Sequence, residues 1–425
     1  MRRILTIGAF LTFASIGYVQ AQLTIGAEFR VRSEYRDGAR ILMDSTMNPA
    51  FVTSQRTRLM TNYQNDRFQI KLTLQNARIW GDDKERANVP NINMAEGWVS
   101  YYLSENSKAW MVKIGRQHFY LDDRRIFGLR NWNDIAVSHD LAFLQYQNAG
   151  WKVITGGAYN NNSNIYEESP YTVNYYKYLG FFWANKKVND QLSVSFLTSV
   201  DGNEDADDFH KVYSRYTSGF FVKGGDKNSD FDIEASLYYQ YGTHTSGKSQ
   251  KGYLVSVIPS FKINKRLSAS AGVNYFSGNS DLDSDDGVNR SFNKLFGDGH
   301  RYYGYMDYFL NVEDNTKGYG MQEIFGSLFV KTGKRSELEI SYHNFAFAGR
   351  PLDPLTSTEA GSQLGNEIDL QFIHKINDFL SARLAYSTMF AQPSMELLKG
   401  GDHEQYQQWA MVMLIAKPQL FSNKN

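Results

Sequence analysis

Residues 23–36 read LTIGAEFRVRSEYR. Leu23, Ile25, Ala27, Phe29, Val31 and Tyr35 share one parity. Thr24, Glu28, Arg30, Arg32, Glu34 and Arg36 share the other. Side chains alternate faces along a strand, so this segment has one apolar face and one charged face. Its length exceeds the roughly 9–11 residues a tilted strand needs to cross a bilayer. A soluble sandwich can alternate in the same way, with its polar faces turned to water.

The period of two recurs along the chain. Phe68, Ile70, Leu72 and Leu74 alternate with Gln69, Lys71, Thr73 and Gln75. Phe231, Ile233, Ala235, Leu237 and Tyr239 alternate with Asp232, Glu234, Ser236 and Gln240. Similar stretches run through 267–275 and 367–372, and the last has Ala410, Val412, Leu414 and Ala416 on one parity. The pattern predicts strands near 23–36, 51–63, 67–78, 94–103, 108–116, 139–147, 150–159, 171–184, 190–200, 211–223, 229–242, 251–262, 266–277, 319–331, 335–347, 365–375, 378–391 and 406–418. The small residues on the polar parity suit a channel wall against which nothing packs.

The gaps between these strands decide against the sandwich. Short ones such as Gln64-Asn65-Asp66, Asn148-Ala149, Thr332-Gly333-Lys334 and Ile376-Asn377 alternate with long ones. The short ones carry the Gly, Asn, Asp and Lys that tight turns use. Long–short alternation is the signature of an up-and-down barrel, with periplasmic turns and extracellular loops. Greek-key crossings give no such regularity. The expectation is an all-β, up-and-down antiparallel transmembrane β-barrel of 18 strands with both termini periplasmic. Residues 278–318 form its longest loop.

Composition agrees. The 425 residues include 28 Phe, 28 Tyr and 7 Trp but only 8 Pro, with a mean hydropathy of −0.48. A barrel needs aromatic rings at both bilayer edges, and Tyr35, Tyr63, Trp80, Trp98, Tyr101, Tyr102, Trp151, Trp183, Tyr238, Tyr239 and Trp409 are placed there. No stretch after residue 21 is apolar for 18 residues, which excludes a helical membrane protein. Lys+Arg and Asp+Glu are both 45, so nucleic acid is not an expected partner. The absence of Cys excludes disulfides and thiolate metal sites. Met1-Arg2-Arg3, the apolar run from Ile4 to Gly17 and Val19-Gln20-Ala21 read as a signal peptide over 1–21. That leaves 22–425 as the barrel and the bacterial cell outer membrane as its location.

Gly115-Arg116-Gln117, followed by Asp123, Arg125, Phe127-Gly128 and Trp132, resembles the outer-membrane alginate export family. Arg56-Thr57-Arg58-Leu59, the stretch from Ala77 to Gly81, FGDGHRYYGYMD from Phe296 to Asp307, the stretch from Gly365 to Asp369, and Trp409 to Pro418 are similar to it as well. Together they cover nearly the whole chain after the leader. The resemblance implies an 18-stranded outer-membrane channel. It also implies passage of an anionic polysaccharide through an arginine-lined pore. The chain departs from a strongly electropositive channel in one respect. Glu28, Glu34, Asp232, Glu234, Glu337, Glu339, Glu367 and Asp369 share the polar parity with the arginines. Opposed charges in a pore set selectivity through the field across its constriction, and a mixed lumen suits small polar or charged solutes.

Arg30, Arg32, Arg56, Arg58 and Lys71 make a basic stripe on adjacent strands, and Arg116, Arg124 and Arg125 follow at the end of the fifth strand and in its loop. Guanidinium groups bind carboxylates through paired hydrogen bonds, so these residues are the expected solute path. The stripe also reads as wall charges paired with Glu28 and Glu34, and Asp123 as a residue that orients Arg125. Two acidic loops fail the calcium-loop pattern, since the series from Asp281 has Asp286 and Phe292 where Gly and Glu are required. No metal and no cofactor is expected. No Ser–His pairing and no phosphate-binding Gly loop appears, so an enzyme is not expected. The functional expectation is an outer-membrane channel for polar or anionic solutes. The alternatives are a dedicated exporter of an acidic polysaccharide, partnered by a periplasmic export complex, and a plugged structural or adhesive barrel. Outer-membrane lipid is the partner of the outer wall in every case.

Overall fold

The computed structural model describes residues 21–423 apart from 83–90, 105–106, 174, 206, 227 and 284. The expected leader therefore lies, except for Ala21, outside the described residues. The strands are β1 (Gln22–Asp37), β2 (Ala50–Gln64), β3 (Phe68–Ile79), β4 (Ile92–Tyr102), β5 (Trp110–Gln117), β6 (His139–Asn148), β7 (Trp151–Tyr159), β8 (Tyr178–Lys187), β9 (Leu192–Glu204) and β10 (Val212–Gly224). There follow β11 (Phe231–Thr243), β12 (Ser249–Lys262), β13 (Leu267–Phe276), β14 (Val288–Asn289), β15 (Met321–Lys331), β16 (Ser336–Ala346), β17 (Gln363–Lys375), β18 (Leu380–Ala391), β19 (Gln407–Ala416) and β20 (Gln419–Ser422). Only two short helices are present among the described residues, α1 (Val312–Asn315) and α2 (Pro393–Lys399).

Without the short β14 and β20, eighteen strands pair antiparallel with their neighbours. β1 closes the barrel on β19, from Phe29 opposite Ala416 to Asp37 opposite Gln408. Closure leaves no open edge, as a bilayer requires. All eighteen expected strands are present. The eighth starts at Tyr178 instead of residue 171, because Tyr175 and Tyr176 both turn their hydroxyls to His139 Nδ1, at 2.8 and 3.0 Å. Two consecutive side chains on one partner cannot alternate. Short turns collect at one rim together with the start of β1 and the end of β19. At the other rim the β9–β10 connection, 205–211, and the β11–β12 connection, 244–248, are also short.

The parities come out as read, with one consequence the periodicity did not carry. Phe29 (45% exposed), Leu237, Val412 and Leu414 lie on the outer wall. Glu28, Arg30, Arg32 and Glu34, on the opposite parity, are each 4–5% exposed. Much of the inner wall is covered because the connections 118–138 and 277–320 fold into the barrel. Phe119, Ile126, Phe127, Tyr302, Tyr303, Met306, Tyr308 and Phe309 join Tyr238, Phe276 and Trp409 in one buried cluster. The expectation that nothing packs against the lumen wall is thus overturned: this barrel keeps its hydrophobic core inside. Trp183, Tyr238 and Trp409, placed at the bilayer edges by sequence, belong to that core instead. Trp98 also shares the inner parity of Glu96 and Ser100 and lies against the Lys113 ammonium, 3.7 Å from its ring centre.

The two infolded connections are locked together. Phe127 bridges Phe296, Phe296 N donates to Ile126 O (3.1 Å), and Asp298 N donates to Arg124 O (2.9 Å). Gly128 sits where they touch, and a Cβ there would lie 2.6 Å from Asp298 N and 2.8 Å from Arg124 O. The second connection is fastened to the acidic wall, with Met306 N on Glu367 (2.7 Å) and Tyr305 OH on Glu339 (3.0 Å).

Candidate functional site

The basic stripe lies on β1 and β2, and its guanidinium groups reach the first infolded connection. Arg30 donates to Asn131 O (3.0 Å), Asn133 O (3.0 Å) and Asp134 (2.8 Å). Arg32 donates to Trp132 O (2.9 Å) and lies over the Trp132 ring at 4.8 Å. Arg56 reaches Asn131 O (3.2 Å) and Asn133 O (3.1 Å) and pairs with Glu28 at 2.6 Å. Arg58 reaches the Asn131 side chain at 3.2 Å. Lys71 pairs with Glu96 at 2.6 Å. The arginines hold residues 131–134 against the wall. Trp132 continues the pile on the other side, stacked on His300 at 3.6 Å, which stacks on Tyr305 at 4.9 Å.

The residues from Gly115 to Trp132 take different parts. Arg116 shares the parity of Trp110, Val112 and Ile114 and so points out of the barrel, paired with Asp140 at 2.7 Å. The expectation that it faces the solute path is corrected by that alternation. Gln117 is fully buried and donates to Leu141 O (3.1 Å). Arg125 is buried as well. It pairs with Asp123 (2.9 Å), donates to Tyr303 OH (3.1 Å) and lies 4.0 Å over the Tyr302 ring, while Tyr302 OH donates to Asp123 O. It is a joint between the two connections, buried and held by Asp123. The neighbouring Asp122 accepts from Trp183 Nε1 at 2.9 Å, and burial pushes its carboxyl up to about 6. Arg124 alone of the expected loop arginines faces open space, with its guanidinium 4.6 Å over the Tyr120 ring.

Two cavities flank the packed connections. The larger, about 1070 Å³, opens at the long-loop rim and is lined by the 279–290 segment, the 244–248 turn and residues around α1. The smaller, about 710 Å³, lies toward the short-turn rim, between Arg30, Arg56 and Arg124 on one side and Arg383, Met413 and Lys417 on the other. Arg130 and Asn311 line both and mark their boundary. Arg130 has positive φ (45°) and is held there by Nε on Gly297 O (3.0 Å) and one Nη on Leu295 O (2.6 Å).

The cavities differ in charge. The outer one has seven carboxylates (Asp201, Asp281, Asp283, Asp285, Asp286, Glu313, Asp314) against five cations. The inner one has seven cations (Arg30, Arg56, Arg124, Arg130, Arg301, Arg383, Lys417) against Glu28, Asp298 and Glu339. Lys294 also lines it, but burial pushes its ammonium well below its usual value. Among the described residues, Arg124, Arg130, Arg301 and Arg383 have no carboxylate within 4.0 Å of their guanidinium groups, and Arg130 is tied to loop carbonyls. The other three are the cations left to attract an anion. Sequence reasoning missed Arg130, Arg301 and Arg383. A signal existed for Arg301, which begins the run RYYGYM, too aromatic for a solvated loop.

The family model for alginate export matches residues 21–391. A search of curated protein sequences finds no match. Solved outer-membrane porins share the fold over nearly the full length. OccAB1 of Acinetobacter baumannii is 12% identical, with a TM-score of 0.63, over 96% of this chain and 98% of that one. Pseudomonas aeruginosa OccK11 (OpdR) is 10% identical, with a TM-score of 0.60, over 95% and 97%. P. aeruginosa OpdK, solved with vanillate, is 10% identical, with a TM-score of 0.58, over 95% and 100%.

Proposed function

The chain belongs to the alginate export family of outer-membrane β-barrels, and on that premise we propose that it is a passive channel for small carboxylated solutes. The observation that carries this reading is the inner cavity with Arg124, Arg301 and Arg383 free of carboxylate partners. A guanidinium in a narrow, low-dielectric space attracts a carboxylate far more strongly than one in open water. In this reading the leader at 1–21 directs export, the long-loop rim is extracellular, and the short-turn rim with both termini is periplasmic. The solute path runs from the outer cavity past Arg130 to the inner one. Arg30, Arg32, Arg56 and Arg58 serve it by holding the 131–134 segment. The vanillate of OpdK is itself a small aromatic carboxylate, which fits the class.

The exporter of an acidic polysaccharide rests on the family match, and cavities of about 1070 and 710 Å³ beside packed connections favour a small solute over a polymer. The test is the reversal potential of the purified protein in a planar bilayer under a salt gradient. Anion preference that falls when Arg124, Arg301 and Arg383 are changed together to Gln, and stays when the outward Arg116 is changed, supports the channel. Cation preference, or anion preference indifferent to the three arginines, overturns it. Block by polyuronate at low concentration would move the reading to the exporter, and a silent bilayer to the plugged barrel.

A further inference from the structure

The inner end of the outer cavity carries a feature that ion attraction does not use. Tyr175, Tyr176 and Phe296 line it beside Arg130, with Val137 and Leu295 completing the patch. The three rings form one group. Tyr175 and Tyr176 have centroids 4.2 Å apart, and Phe296 lies 5.6 Å from the first and 5.4 Å, edge-on, from the second. Both tyrosine hydroxyls lie at His139 Nδ1, and Tyr176 is buried in the core, so the ring of Tyr175, not its polar end, is offered to the cavity. Tyr175 and Phe296 are only partly buried against the core. Arg130 spends Nε and one Nη on loop carbonyls, and the other Nη carries no bond among the described residues.

We propose that Arg130, Tyr175 and Phe296, backed by the buried Tyr176, form a binding subsite for planar aromatic carboxylates at the threshold between the two cavities. The proposal rests on the small-carboxylate reading above and narrows its substrate class. The carboxylate pairs with the open Nη of Arg130, and the ring packs edge-on or offset against Tyr175 and Phe296. The surroundings explain why a ring is required. The outer cavity holds more carboxylates than cations, which acts against any simple anion at this depth. Several of those carboxylates are already engaged, Asp201 by Arg215 (2.9 Å) and Asp285 by Lys248 (3.0 Å), which leaves the repulsion moderate. Ring contacts of this kind are each worth on the order of a 2- to 10-fold gain in affinity. An aromatic anion thus gains at this point what acetate does not.

The test uses the whole protein in detergent micelles, titrated calorimetrically with benzoate, cyclohexanecarboxylate and acetate. Benzoate should bind at least about 5-fold more tightly than cyclohexanecarboxylate, and acetate should give no heat. Tyr175→Leu should erase most of the difference between the two ring acids. Tyr175→Leu should still run as the compact folded band on semi-native electrophoresis, which shows that the variant folds. Equal binding of benzoate and cyclohexanecarboxylate, or benzoate affinity unchanged in both Tyr175→Leu and Phe296→Leu, overturns the proposal. Failure of the carboxylate channel itself reads out separately, as a reversal potential without anion preference.

Discussion

Arg30→Met tests whether the basic stripe holds the infolded connection in place. The substitution keeps an unbranched side chain of similar reach while removing the bonds to Asn131 O, Asn133 O and Asp134. Hydrogen bonds to a charged group are worth about 1.5–3 kcal/mol each. They are not additive within one network, and Asp134 keeps Ser54 at 3.1 Å and Arg32 at 3.4 Å. A net loss of about 3 kcal/mol for the seated connection is the working figure. Were seating favoured by about 4 kcal/mol in the wild type, the unseated fraction would rise from roughly one in a thousand to roughly one in six. Single-channel recording resolves such a change as frequent steps to a larger conductance, with the barrel's resistance to heating in detergent nearly unaltered. An open probability and step size identical to wild type would refute the bracing role. The stripe would then return to its other reading, as solute ligands.

Two further perturbations probe the wall and the core. Gly115 has φ of 123°, and a Cβ there would meet Gly97 O at 2.3 Å and Trp98 Cα at 2.8 Å, both of which belong to the neighbouring strand's backbone. Gly115→Ala should cost about 2–4 kcal/mol and lower the temperature at which the folded band is lost on semi-native electrophoresis; an unchanged temperature would mean the strands part easily. Asp122 has its carboxyl raised to about 6 by burial, so the folded state holds its proton where the unfolded chain has lost it. Its effect on stability is most favourable below about pH 4, declines as the pH rises to 6 and is level above that. Asp122→Asn keeps an acceptor for Trp183, so the variant should be the more stable at pH 7, and the difference from wild type should vanish toward pH 4 in thermal melts.

The outer half of the architecture was legible because lipid imposes a strict rule. Outward positions at the depth of the lipid tails must be apolar and short turns must carry turn residues, so Phe29, Leu237 and Leu414 and the turn at 332–334 announce themselves. The sign of Arg116 was legible too. It stands two places after Ile114 and four after Val112, and parity alone sends it outward. The interior was not, because nothing in a period of two tells which connection folds inward. A ring near a strand end satisfies the bilayer edge and an inner core equally well, and so Trp183 and Trp409 were read on the wrong side. What betrays the inner core is the loops themselves. Residues 119–132 and 301–309 are too rich in Phe, Tyr, Trp and Gly to be solvated. The site followed the same division. The stripe on β1 and β2 was found from parity, whereas Arg130 and Arg301 depend on how the loops are seated.

Which cavity decides the charge of the solute follows from screening. Across about 8 Å, the Debye length at physiological salt, an exposed charge is largely cancelled by counterions. The acidic residues of the outer cavity stand at an open mouth, and Asp286, Asp285 and Asp283 are already paired with Arg290, Lys248 and Arg350. Pairing and screening leave only a moderate repulsion on an entering anion. The inner cavity is smaller and walled by the packed connections and the barrel, and Arg124, Arg301 and Arg383 have no carboxylate to offset them. Fewer counterions fit there, and the low-dielectric walls concentrate the field. An excess of carboxylates at the mouth is therefore compatible with a channel for anions. The side chains that set this balance sit mostly on the two infolded connections. A barrel of this kind can change its solute by exchanging those connections, while the eighteen strands remain as the lipid requires.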